Sequence, residues 1–498
     1  MMDGLTIDPL LLILKSLEKL GFEWIPVFFT LSELWAIYLA LHSIRRARTS
    51  QGAVAWSVAL ISMPLISIPL YLIAGRSKFV GHVDFRRKVG FEVAPALKRF
   101  KSSVEKVVSD PEILNDNDRA MSELAHLPWL KGNTCKLLIN GTQTFNELFK
   151  AMDNAKEYIL HQYFIIEDNE LGHIFSKKCQ EAAKRGIKVY LIYDAIGCYG
   201  VDELYWTEMK EAGVEVMPFH IMEKRTTRLQ INFRNHRKIS VIDGDVGFFG
   251  GHNIGDSYIG KREGFSPWRD THVLLKGPSV LALQLCFLED WYFVNSQSTT
   301  DKLPQLKWDW EDSWCGESDI LILPSGPADD FETCGLMFNS AIHQARERFW
   351  LASPYFIPDG KIRSALITAA LKGVDVRILL PKVPDHKMVY FARQDFYEGL
   401  QNAGVKFYLF EEGFLHEKVF LVDDNLAAVG TANLDNRSFR LNFELTGLVK
   451  DKGFIAELAQ MLENDFSHSE LLPPFKLDDQ ALWKQLLIRG CRLFSPIL

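Results

Sequence analysis

The sequence contains no C-x-x-C or C-x-x-H spacing, no H-E-x-x-H, and no acidic cluster arranged for two metal ions. Its seven cysteines (Cys135, Cys179, Cys198, Cys286, Cys315, Cys334 and Cys491) are odd in number and scattered. These absences exclude a zinc ribbon, a metal-dependent protease motif and a disulfide scaffold; cysteines acting as buried filler in a reduced compartment fit instead. There is also no long block of one charge sign, and the net charge is −7. A nucleic-acid partner held through its phosphates therefore has no compositional support. With 498 residues, the chain has room for two ordinary domains and additional segments.

What is present begins with apolar runs near the N-terminus. Residues 53–74, AVAWSVALISMPLISIPLYLIA, carry no charge over 22 positions, which as a helix of 1.5 Å rise would span a hydrocarbon layer about 30 Å thick. Residues 25–44 are nearly as apolar but include Glu33, which is costly at bilayer depth unless paired or near the rim. Two spans and no small-residue cleavage site predict a retained transmembrane hairpin rather than a secretory signal. The turn holds Arg45, Arg46 and Arg48. The other side holds Lys15, Lys19, Arg76, Lys78, Arg86, Arg87 and Lys88. That asymmetry predicts a cytoplasmic C-terminal part.

The remainder repeats itself. Residues 155–194 and 345–381 share a helix end, an apolar strand, a helix stopping at Gly186 or Gly373, and a second strand. EAGVEV (211–216) then matches NAGVKF (402–407). Alternating helices and buried strands predict an α/β architecture, with a mixed sheet flanked by helices in each of two tandem halves. The expected divisions are a membrane hairpin over 1–75, a charged connecting segment over 76–130, halves over 131–300 and 318–470 with residues 301–319 as the irregular joint, and a tail over 471–498.

Each half then carries H-x-K-x-x-x-x-D: His236, Lys238 and Asp243, and again His416, Lys418 and Asp423. Read as strands, these stretches aim histidine and lysine to one face. An imidazole beside an ammonium suits an anionic phosphorus centre, the ring attacking or moving a proton and the cation balancing the non-bridging oxygens. Ten residues past each aspartate stands an asparagine, Asn253 in GGHN and Asn433 in GTAN, able to donate to the same oxygens. The glycines there allow backbone to approach a ligand. Asp270 and Glu444 supply one carboxylate per half, each suited to hold the far nitrogen of a histidine. A single H-x-K is ordinarily a solvated pair; two copies, each with the same tail, are not.

With these motifs the chain resembles the phospholipase D superfamily, and its hairpin, FRNHRK, WRDTH, SPYFIP and GTANLDNRSFRLNFE resemble the bacterial cardiolipin synthases within it. The resemblance implies two halves related by a pseudo-twofold axis around one active site, with no metal and no cofactor. It implies His236 as nucleophile, His416 as general acid and then base, and Asp243 and Asp423 as braces of the local fold. The implied reaction joins two phosphatidylglycerol molecules into cardiolipin and glycerol through a phosphatidyl-histidine, at the bacterial inner membrane. Phosphatidylethanolamine as donor, water as acceptor (a hydrolytic phospholipase D), and a catalytically dead membrane scaffold are the alternatives. A nuclease has no use for the hairpin. In the tail, residues 482–494 place Leu482, Trp483, Leu486, Leu487, Leu493 and Phe494 on one helical arc and Lys484, Arg489 and Arg492 on the other. Such a helix either lies in an anionic headgroup plane or packs as an ordinary terminal helix.

Overall fold

The computed structural model describes residues 24–46, 50–75, 93–110, 112, 114–219, 233–295, 305–310 and 316–498. These form two compact units, one built on the N-terminal helices and one containing both halves of the repeat.

In the N-terminal unit, α1 (Trp24–Arg46) is the one described helix long and apolar enough to cross a bilayer. The stretch expected to be the clearer span is not one helix. It breaks into α2 (Ser50–Ser62) and α3 (Pro64–Ala74), because Pro64 lacks the N–H a continuous ladder requires and Pro69 removes a second donor. Ser67 Oγ turns back to donate to Ala59 O at 2.8 Å, partly mending the break. α1 packs against both through Ala36, Leu39, Ala40, Leu60, Ile68 and Tyr71, and Tyr71 Oη lies 2.9 Å from His42 Nδ1. Of the ten basic residues weighed for sidedness, only Arg45 and Arg46 lie within the described residues.

The second unit is built on one continuous sheet. The first half supplies β1 (Leu130–Ile139), β2 (Tyr158–Tyr163), β3 (Lys188–Asp194), β4 (Glu215–Phe219), β5 (Arg234–Asn235), β6 (Ile239–Ile242), β7 (Val246–Gly250), β8 (Trp268–Arg269) and β9 (Thr271–Lys276). The second supplies β10 (Ser318–Ser325), β11 (Arg348–Ala352), β12 (Asp375–Pro381), β13 (Lys406–Phe410), β14 (Phe414–Leu415), β15 (Val419–Val422), β16 (Leu426–Gly430), β17 (Asn442–Lys450) and β18 (Ser469–Leu471). Outward from a central antiparallel β1–β10 pair, the order is β9, β7, β6, β2, β3, β4 on one side and β17, β16, β15, β11, β12, β13 on the other. The two sides match strand for strand out to β4 and β13, as a pseudo-twofold requires; β18 then adds one antiparallel edge strand beyond β13. The β2–β3–β4 and β11–β12–β13 pairs are parallel and the inner ones antiparallel, so each half is mixed as expected.

The parallel pairs need helical crossovers. Asn169 caps α4 (Glu170–Lys184) by accepting from Gly172 N, and Asp359 caps α6 (Gly360–Leu371) by accepting from Ile362 N. Both helices stop at the foreseen glycines, Gly186 at φ +91° and Gly373 at φ +89°, a left-handed conformation that side chains resist. The helix α5 (Ser279–Asn295), buried along nearly its whole length, covers the first half. Its counterpart α8 (Lys452–Ser467) covers the second, and α7 (Lys387–Gln394) and α9 (Leu482–Arg492) pack together near the chain end.

Two short pairings lie apart from that order. β5 runs parallel to β17, and β14 runs parallel to β8. Each half thereby lends a two-residue strand to the other, immediately before its own histidine. The H-x-K triplets themselves are not strand, contrary to expectation: regular pairing resumes only at Ile239 and Val419.

Candidate active site

The exchange of short strands fixes both histidines. His236 N–H donates to Phe443 O at 2.9 Å, and His416 N–H donates to Arg269 O at 2.7 Å. The residue after each of these acceptors is the carboxylate. His236 Nδ1 lies 2.8 Å from Glu444 Oε2, and His416 Nδ1 lies 2.7 Å from Asp270 Oδ2. The pairing is crossed, so each half orients the other half's ring. Sequence spacing alone leaves the partner of each carboxylate open.

Both carboxylates are fully buried. Burial favours the neutral acid, but Lys418 and His416 hold Asp270 well below the usual carboxylate range. Glu444 is likewise lowered against burial by His236, and it accepts from Thr431 Oγ1 at 2.6 Å, Ser438 Oγ at 2.9 Å and Asn442 Nδ2 at 3.1 Å. An ionised carboxylate only accepts, so the hydrogen sits on each Nδ1 and each Nε2 keeps its lone pair. Burial, with Lys418 adding, pushes His416 down to about 3; burial also lowers His236, against the pull of Glu444. Both rings are neutral at rest, which suits a nucleophile.

The lysines are as deeply placed. Lys238 Nζ donates to His236 O at 2.7 Å, and Lys418 Nζ donates to His416 O and stands 2.8 Å from His416 Nδ1. Burial lowers Lys238 to about 7 and Lys418 to about 8. Each histidine also feels the lysine of the opposite half, which puts all four groups in one electrostatic neighbourhood. Aromatic rings wall it: Phe164 stands edge-on to His236 at 5.0 Å, Trp268 lies 4.9 Å from His416, and Lys238 sits 5.3 Å above Phe164.

The motif aspartates stand apart from the rings. Asp243 takes N–H bonds from Lys156, Glu157 and Tyr158 at 2.8, 2.8 and 2.9 Å. Asp423 takes them from Arg346, Glu347 and Arg348 at 3.0, 2.8 and 2.9 Å. Each adopts a left-handed φ, 55° and 50°, at the tight turn before the next strand. They clamp the start of β2 and β11. The GG and GT dipeptides pack against the carboxylates. A Cβ on Gly251 would fall 1.9 Å from Asp270 Oδ1, whereas Thr431 fills the equivalent place and donates to Glu444. Asn253 accepts from Ile165 N at 3.0 Å and donates to Tyr258 Oη at 3.0 Å, while Asn433 Oδ1 is buried with no hydrogen-bond partner among the described residues.

The intervening residues of the motifs, not singled out in the sequence, build two buried ion clusters of opposite polarity. Arg237 donates to Asp290 Oδ2 at 2.9 Å and to Glu444 O at 3.1 Å, and Asp290 also accepts from Gln162 and Asn235. In the other half Glu417 Oε1 lies 2.8 Å from Arg269 Nη2 in poor hydrogen-bond alignment, while Arg269 grips Asp465 with two bonds at 2.9 and 2.8 Å. Burial, opposed by Arg269 and aided by Asp465, raises Glu417 to about 8. The signal for this asymmetry was the HRK against HEK triplets. A cavity of about 230 Å³ touches Arg237, Asp290 and Phe443 but no motif histidine.

Two matched halves that cross-orient a pair of imidazoles beside two lysines define a phospholipase D-like protein. A family model described as "Cardiolipin synthase, PLD-like domain" matches residues 148–266 and 338–468. The chain is 42% identical over 470 residues to a cardiolipin synthase A of Pseudomonas putida, covering 93% of this chain and 96% of that protein. It is 41% identical over 466 residues to one of Pseudomonas aeruginosa, covering 92% and 93%. Among solved structures, a phosphatidylserine synthase of Haemophilus influenzae superposes with a TM-score of 0.58 at 15% identity, over 77% of this chain and all of that one; this likeness concerns the fold. The chain belongs to the cardiolipin synthase family, a group of phosphatidyltransferases in the phospholipase D superfamily.

Proposed function

We propose that the protein is a cardiolipin synthase that transfers a phosphatidyl group from one phosphatidylglycerol to the headgroup hydroxyl of another through a covalent phosphohistidine. The observation that carries this reading is the crossed pairing of His236 with Glu444 and His416 with Asp270. It gives two imidazoles the same tautomer and leaves each Nε2 lone pair free, and the influence of each motif lysine on the opposite histidine supports their sharing one phosphorus.

In the first step His236 Nε2 attacks phosphorus, the bond to the departing glycerol oxygen breaks, and that oxygen takes a proton from His416. A neutral His416 has none to give. A bound phosphodiester brings negative charge beside the ring and raises its proton affinity, so protonation accompanies substrate binding. In the second step His416 takes the proton of the incoming hydroxyl, the new P–O bond forms, and the P–N bond breaks, returning the electron pair to His236. One phosphodiester replaces another, so no energy source is consumed. Lys238 and Lys418 balance charge on the non-bridging oxygens, with Asn433 as a further contact. Excluding water from the second step separates synthesis from hydrolysis. The apolar helix α1 supports attachment to the bacterial membrane, and the basic residues around the hairpin support a cytoplasmic catalytic part.

Purified full-length protein incubated with phosphatidylglycerol tests the reading. Cardiolipin and glycerol are expected. Phosphatidic acid as the product would make it a hydrolase, and His236→Ala with unchanged turnover would make it a scaffold. Supplying phosphatidylethanolamine as well identifies the donor.

A further inference from the structure

The C-terminal helix α9 is mounted the wrong way round for a helix that simply packs. At about 3.6 residues per turn, Leu482, Trp483, Leu486, Leu487, Leu493 and Phe494 fall on one arc of roughly 140°. That arc is exposed, Leu482 by 70%, Trp483 by 67% and Leu493 by 81%. The opposite side faces the protein, where Ile488 alone is fully buried and Arg492 pairs with Asp395. A packed amphipathic helix turns its apolar stripe inward. Arg489 flanks one edge of the arc, 60% exposed and 3.9 Å from Asp478, and Lys484 flanks the other. Cations bordering an outward apolar stripe fit the phosphates and acyl chains of an anionic lipid surface.

The placement of α9 ties this surface to the active site. α9 packs on α7, which begins directly after Asp385 and His386. Asp385 accepts from Tyr355 Oη and acts electrostatically on Lys418. Val383 and Met388, at the start of α7, are also exposed apolar residues. At its far end the chain continues to Leu498, whose carbonyl accepts from Arg437 N at 3.1 Å. Arg437 lies in the short helix Asn436–Arg440, and Ser438 of that helix holds Glu444. The tail therefore bridges an element that borders Lys418 and one that holds the carboxylate of His236.

We infer that the exposed apolar face of α9, with Val383 and Met388, seats the second half on the anionic bilayer surface and brings the active-site rim to the headgroup plane. The inference rests on the lipid-substrate reading and adds a docking surface distinct from the N-terminal helices. A cation-flanked arc on a phosphatidyltransferase favours lipid over a second copy of the chain, whose contact would not need the basic border.

The test uses the full-length protein with two forms of phosphatidylglycerol: long-chain lipid diluted in phosphatidylcholine vesicles, and dihexanoyl lipid dissolved as monomers. For the triple variant Trp483→Ser, Leu486→Glu, Phe494→Ser, turnover on dilute vesicles should fall at least tenfold while turnover of the monomeric lipid stays within twofold. Raising the vesicle content of anionic lipid should recover part of the loss. Ile488→Ala, which loosens the buried side, should lower both activities together. An equal loss on both substrates in the triple variant, no loss on vesicles, or a change in oligomeric mass with the same surface dependence would each overturn the inference. Wild-type protein inactive on both forms would instead refute the lipid reading itself.

Discussion

The lysines give the site its pH dependence. Burial depresses Lys238 to about 7 and Lys418 to about 8, so their charge is full below those values and is lost as pH rises through them. Phosphate attraction goes with it. A profile of kcat/KM, which reports the free enzyme, should fall on an alkaline limb between about pH 7 and 8. The limb in kcat should lie higher, because the bound anion stabilises the ammonium groups. His416 predicts a complementary proton movement. Held near 3 at rest, it should take up a proton when an anionic phosphodiester analogue binds at neutral pH, measurable as a buffer-dependent heat of binding. The glycine–threonine difference is testable too. Gly251→Ala intrudes on Asp270 and should cost about 10²-fold or more in kcat. Thr431→Val removes one of several donors to Glu444 and the acceptor of Leu445 N–H, a loss of about 1–3 kcal/mol in stability, readable in a denaturation curve.

Among elements, the exchanged strands matter most. β5 on β17 and β14 on β8 put each carboxylate beside the other half's histidine, so in the proposed mechanism Glu444 serves the nucleophile and Asp270 the acid and base. Glu444→Gln should slow formation of the covalent adduct on His236. Asp270→Asn should impair the proton transfers of His416, both by roughly 10²–10⁴-fold in analogy with other carboxylate-oriented histidines. Single-turnover experiments separate the two effects.

The alternation of strands and helices in each half was legible because buried β-branched runs and helix-stopping glycines recur at matching places. The candidate site residues could be singled out because the repeat marks them twice. The partner assignment was not, since a two-residue strand such as Arg234–Asn235 has no periodicity to read and its pairing is set by the other half. Nor was the fit of the GG and GT pairs against Asp270 and Glu444, which needs the carboxylates' positions. The break at Pro64 was written in the sequence, but hydrophobicity outweighed it.

At the scale of the whole molecule, duplication within one chain makes a two-histidine site without a second subunit. Mixing His236→Ala protein with His416→Ala protein should restore no activity, because the pairings that build the site lie within one chain. Recovery on mixing would mean that halves exchange between chains. The single continuous sheet through β1 and β10 also makes the halves one cooperative body, since neither has a closed edge at the centre.

In the proposed mechanism two imidazoles divide one phosphatidyl transfer between them. Rapid quenching of the full-length enzyme with phosphorus-labelled phosphatidylglycerol tests it most directly. The account predicts an acid-labile phosphatidyl adduct on His236, absent in His236→Ala and formed slowly in His416→Ala. Label at His416, or full product formation with no adduct on either histidine, would contradict it.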